Sequence, residues 1–124
     1  MKKTFLWAAV PVALCFGCGA TFPVPTQAMA DAESAHRSAL EVGAASQPTA
    51  ELHVKLAEDQ MAKAKTLISN GDNREAGSLL VRSKADSELA LVLAREQGAR
   101  TATQTAMDKA SSTSITNAAE GAVK

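Results

Sequence analysis

Cys18 is the residue in this chain whose surroundings point most directly to a reaction. It closes an apolar run, Phe5 to Phe16, that follows Lys2 and Lys3. A basic start and a short apolar stretch form a bacterial export signal. The run is short for a membrane-spanning helix, which needs about 20 apolar residues, and Pro11 interrupts it. Gly17-Cys18-Gly19 has the form of the end of a lipobox. There the cysteine sulfur takes up diacylglycerol and the cysteine becomes the first residue of the mature chain. The fit is imperfect: Cys15 and Phe16 stand where leucine and a small residue are usual, and Leu14 is displaced by one. Cys15 fits worse, because Leu14 then occupies a position that needs Gly, Ala or Ser. A competing cut follows Ala28-Met29-Ala30, the small-x-small pattern of ordinary signal peptidase, and would release a soluble periplasmic module beginning at Asp31. Cys18 is preferred because the apolar run ends beside it and because residues 26–42 read as a helix. Gly19, not Asp, follows the cysteine, which by the usual sorting rule directs a lipoprotein to the outer membrane. Several acyl chains anchor stably where one would be marginal.

The other reactive side chains lead nowhere comparable. His36 and His53 are isolated in sequence, and zinc needs three or four ligands. They read as surface or interfacial histidines, and no metal or cofactor is expected. No Gly-rich phosphate loop, nucleophile elbow or HExxH sequence occurs. The carboxylates are spaced for salt pairs, so no catalytic residue is assigned and no enzyme activity is expected. The whole chain has formal charge zero, and loss of Lys2 and Lys3 leaves 11 basic and 13 acidic residues. That balance argues against nucleic acid, which requires a positive field. Every aromatic residue precedes position 23 and there is no tyrosine, which removes any base-stacking platform. With Cys18 lipidated and Cys15 removed, no thiol remains for a disulfide. Lys124 is a C-terminal lysine, as in the major murein lipoprotein, where that residue is joined to peptidoglycan; this is a weaker alternative.

These groups must be positioned by an all-α chain. Residues 1–17 form the signal, 18–25 a Pro-containing tether, 26–100 a helical domain, and 101–124 a frayed helix and disordered tail. Thr26 is expected to cap a first helix, Gln27 to Val42, with Met29, Ala32, Ala35/His36, Ala39 and Val42 on one face. Gly43 ends it. Pro48 suits the first position of the next helix, whose buried stripe is read as Leu52, Leu56, Met61, Ala64 and Ile68, with Ala57 and Leu67 beside it. Glu51, Lys55, Asp59 and Lys63 form an exposed column of i,i+4 pairs. Asn70-Gly71-Asp72-Asn73 makes the turn, with Gly71 as helix cap and Asp72 opening the next helix with the spacing of a capping box to Glu75. Ala76 and Gly77 would let the helices approach closely. Arg82/Asp86, Lys84/Glu88 and Glu96/Arg100 continue the pairing. The run Leu89 to Ala94 is apolar on nearly every side. Either the first helix covers it, giving a small three-helix bundle built on an antiparallel hairpin, or Leu89, Leu91, Val92 and Leu93 form a surface for a protein partner or for self-association.

Ala28 to Gly43, Pro48, Glu51-Leu52, Lys55-Leu56, Ala62 to Lys65, Gly71-Asp72, Ala76 and Ala85 to Ala94 together carry a resemblance. From Thr26 to about Arg100 the chain resembles the bacterial family catalogued as domain of unknown function 4398. The resemblance implies a helical module in a short envelope lipoprotein and supports lipidation of Cys18. Some members place the unit ahead of a peptidoglycan-binding domain, for which this chain has no room. Gly71-Asp72, Ala76 and Leu80 are also similar to one tetratricopeptide unit, which implies hairpin geometry more than peptide binding.

Overall fold

The computed structural model describes residues 22–122, with side chains to residue 115. Cys18, the stretch expected to be an export signal and Lys124 lie outside the described residues. Three α-helices follow in order: α1 (Thr26–Glu41), α2 (Pro48–Asn70) and α3 (Asn73–Ala122), with a 3-10 turn at Ala44–Ser46 between the first two. α2 lies antiparallel to α3, and α1 packs parallel to α3 with its start at Gly77 and its end near Ala90. The result is the expected three-helix bundle, with α3 as the element on which the other two mainly rest.

The local chemistry of the breaks is clear. Gly43 and Gly71 have φ of 79° and 88°, the left-handed conformation that glycine reaches without steric cost. At Gly71 the N–H groups of Gly71 and Asp72 donate to the carbonyls of Ile68 and Leu67, at 3.1 and 2.9 Å, which closes α2 in a Schellman arrangement. Asp72 then stands before α3, its carbonyl accepting from the N–H of Ala76 at 3.0 Å. Pro48 occupies the first turn of α2. Thr26 does not cap α1. It is already the first helical residue, because the N–H of Thr26 bonds back to the Val24 carbonyl at 2.8 Å and Pro25 takes the cap position.

The core differs from the leucine stripe expected for α2. Leu52 and Leu56 are 59% and 39% exposed, while Ala50, Val54, Ala57, Met61 and Ala64 are buried. Buried positions on α3 are Ala76, Leu80, Ser83, Ser87, Ala90 and Ala94. Both sets alternate in steps of four and three, the 3.5-residue period of knobs-into-holes packing. Every seventh residue is small: Ala32 and Ala39 on α1, Ala50, Ala57 and Ala64 on α2, Ala76, Ser83 and Ala90 on α3. Ala57 and Ser83 show the consequence, since the Ser83 hydroxyl reaches across to donate to the Ala57 carbonyl at 2.8 Å. The backbones of α2 and α3 therefore run close, and a leucine at these positions would not fit. Gly77 takes little part in this. A methyl group there would meet Pro25 at an ordinary 3.7 Å.

On α1, Ala32 and Ala39 are buried and Met29 packs against the core, but Val42 is exposed. In the stretch expected as a frayed helix and tail, α3 runs on from the bundle to Ala122. Alanine favours helix strongly and no proline intervenes. The threonines of this stretch also satisfy their hydroxyls on the preceding turn, Thr101 on Gln97 at 3.0 Å and Thr105 on Thr101 at 2.9 Å. The segment is nonetheless detached from the bundle, with every side chain from Arg95 to Ile115 exposed.

Candidate functional site

The groove between α2 and α3 is closed on its outer side by Asp86. His53 Nδ1 lies 2.9 Å from Asp86 Oδ1, and Gln60 Nε2 donates to Oδ2 at 2.8 Å. His53 and Gln60 are seven residues apart on α2 and so straddle the carboxylate. A carboxylate only accepts, so His53 is the donor in its contact. This arrangement replaces the expected Arg82/Asp86 pair and leaves Arg82 with no ion pair among the described residues. His36 is likewise interfacial, its Nε2 3.3 Å from Glu58 Oε1 across α1 and α2. Lys65 pairs with Glu33 in the same groove at 3.2 Å, and Lys84 reaches both Asp31 and Glu88 at 3.9 Å. Within α2 the expected Glu51–Lys55 pair forms; the hydrogen bond that Lys55 donates to the Glu51 carboxylate holds its ammonium above its ordinary pKa.

Leucines surround the Asp86 contact. Leu52 and Leu56 flank His53 on α2, and Leu89 is one turn past Asp86 on α3 and 42% exposed. Val92, a further turn along, is 58% exposed. The four residues expected as a partner surface thus divide. Leu91 and Leu93 are partly buried against the cluster of Ala39, Ala44, Ala50, Val54, Ala90 and Ala94 from opposite flanks of α3, Leu91 beside α1 and Leu93 seven residues past Asp86 on the flank that faces α2. Leu89 and Val92 stay uncovered. They are joined by Leu52 and Leu56, which the sequence reading assigned to the core. Periodicity alone could not place these two leucines, because the apolar content of α2 is wide enough for either stripe. The seven-residue repeat of alanines is the signal that distinguishes them.

At the turn end of the bundle, Phe22, Gly71, Asp72, Arg74, Glu75 and Ser78 line an open concavity. The Arg74 guanidinium carbon lies 5.5 Å from the centre of the Phe22 ring, a cation–π distance. Asn73 Nδ2 donates to the Phe22 carbonyl at 2.8 Å and fixes the chain entering α1. Among the described residues no group of three His, Cys, Asp or Glu side chains could hold a metal ion, and no helix is long and apolar enough to cross a membrane. No curated protein and no solved structure matches the chain. The family catalogued as Domain of unknown function (DUF4398) matches residues 27–106, from the first turn of α1 to well beyond the point where α3 leaves the bundle. With about two thirds of its length matched, over all three helices, the chain belongs to this family.

Proposed function

We propose that this chain is a lipoprotein of the bacterial envelope, anchored through Cys18 at the periplasmic face of the outer membrane, and that its helical domain acts as a structural or protein-interaction element. The observation that carries the reading is the place of residues 22–30 in the fold. Phe22 is held by Asn73 and Arg74, Pro25 lies over Gly77, and Ala28 and Met29 pack against the core cluster of Ala32, Met61, Ala64, Ala76 and Leu80. A cut after Ala30 would remove all of these and leave α1 without its first five residues. A cut before Cys18 keeps them. Four residue steps then link the anchor to Phe22, which span at most about 14 Å. The domain would sit close to the membrane with its turn end nearest the lipid. The interaction role is supported by Leu52, Leu56, Leu89 and Val92, apolar side chains left exposed on neighbouring turns of α2 and α3.

Acyl labelling tests the anchor. Cells supplied with labelled palmitate should label the wild-type chain but not Cys18→Ser, and globomycin should cause unprocessed precursor to accumulate. An unlabelled wild-type chain contradicts the proposal.

A further inference from the structure

Arg82, Leu89 and Glu96 are spaced by seven residues on α3 and are all exposed. Seven residues are close to two helical turns, so the three form one strip, with the charges about 10.5 Å on either side of Leu89. Arg82 lacks an ion pair among the described residues because Asp86 is engaged by His53 and Gln60. Glu96 is held by Arg100 at 2.6 Å, an exposed pair within one helix that can rearrange at little cost. The strip therefore reads cation, leucine, anion, and it is complementary to itself when turned end for end.

Self-complementarity is what a two-fold contact requires, since the same patch must serve on both sides. We infer that the occupant of this leucine surface is a second copy of the chain, with the two α3 helices antiparallel about a two-fold axis beside Leu89. The axis sets Leu89 against its equivalent and Arg82 of each copy opposite Glu96 of the other. Leu52, Leu56 and Val92 flank this centre, because the His53–Asp86 contact ties their turn of α2 to the adjacent turn of α3. The same axis accounts for the long bare end of α3. Met107, 59% exposed, and Gly71 are each eighteen residues from Leu89. Met107 thus comes level with the turn of the second copy, where the concavity beside Phe22 lies open. The inference rests on reading this face as an interaction surface and adds the identity of the partner.

Cysteine cross-linking of the full chain in its own envelope tests it, with the wild-type chain oxidised in parallel. Leu89→Cys should give a product of twice the chain mass well above the wild-type background. Arg82→Cys alone should stay monomeric but cross-link when co-expressed with a Glu96→Cys copy. Arg82→Glu should lower the Leu89→Cys product several-fold, and adding Glu96→Arg should restore it. A Leu89→Cys chain that cross-links only to a different protein overturns the two-fold contact while leaving the face an interaction surface. A chain that stays monomeric throughout also overturns the two-fold contact.

Discussion

Leu80 and Leu52 have the same side chain and opposite burdens. Leu80 is the largest fully buried side chain among the described residues, and of its buried neighbours Ala32, Ala64 and Ala76 are too small to move into the space it fills, which leaves only Met61 to relax toward it. Leu80→Ala should therefore leave most of its cavity open and cost about 3–5 kcal/mol, the upper part of the range for such truncations. Leu52 is 59% exposed, so Leu52→Ala gives up less than half of a leucine's burial. Full burial is worth about 1.5–3 kcal/mol, and alanine recovers part of the loss through its better helix propensity. A cost of about 0.5 kcal/mol remains. At about 4–8 °C per kcal/mol for a domain of this size, Leu80→Ala should lower the melting temperature by more than about 12 °C and Leu52→Ala by less than about 4 °C. Thermal unfolding followed by circular dichroism at 222 nm gives both values. Equal losses, or a larger loss for Leu52→Ala, would refute the alanine seam and restore the leucine stripe as the core of α2.

Three further outcomes follow from the same packing. Ser87 is buried with no hydrogen-bond partner for its hydroxyl, so Ser87→Ala should stabilise the bundle by about 1 kcal/mol, whereas Ser83→Ala loses the bond to the Ala57 carbonyl and should not. Denaturant midpoints compare the pair. Asp86→Ala leaves His53 and Gln60 without their shared acceptor and should cost about 1–3 kcal/mol. A double-mutant cycle with His53→Ala should return a coupling of at least about 0.5 kcal/mol, and a coupling of zero would mean that the contact is not formed in solution. Gly71→Ala forces a side chain into the left-handed region and should destabilise by about 1–2 kcal/mol, read as a shift of the urea midpoint without change of slope.

The breaks between helices were the most legible features of the sequence. Gly43, Pro48 and Gly71 act through the backbone, and their chemistry is local. That a third helix joins the hairpin also followed from the apolar run at Leu89 to Ala94 being too wide for two helices, but which of its leucines would be covered did not. The choice of buried face on α2 was harder, because it depends on how closely two backbones approach. Hydrophobicity ranks Leu52 and Leu56 above Ala50 and Ala57, but burial follows from the α3 residues they face, Ser83 and Ala90, which bring the backbones near. The Asp86 contact was hidden for a related reason. Arg82 is its neighbour in sequence, while His53 and Gln60 lie on another helix and reach it only after folding. The reach of α3 beyond the bundle was less legible, because its Ala-, Ser-, Thr- and Gln-rich sequence after Gly98 carries no apolar stripe and its described side chains are exposed.

The central claim is that the export signal is cut before Cys18 and that the folded domain keeps residues 22–30. Mass spectrometry of the mature N-terminus, on protein extracted from the envelope, tests it most directly. The account predicts an N-terminal peptide beginning at Cys18 and carrying the mass of diacylglyceryl with a further acyl chain. A mature chain beginning with a free Asp31 would contradict it.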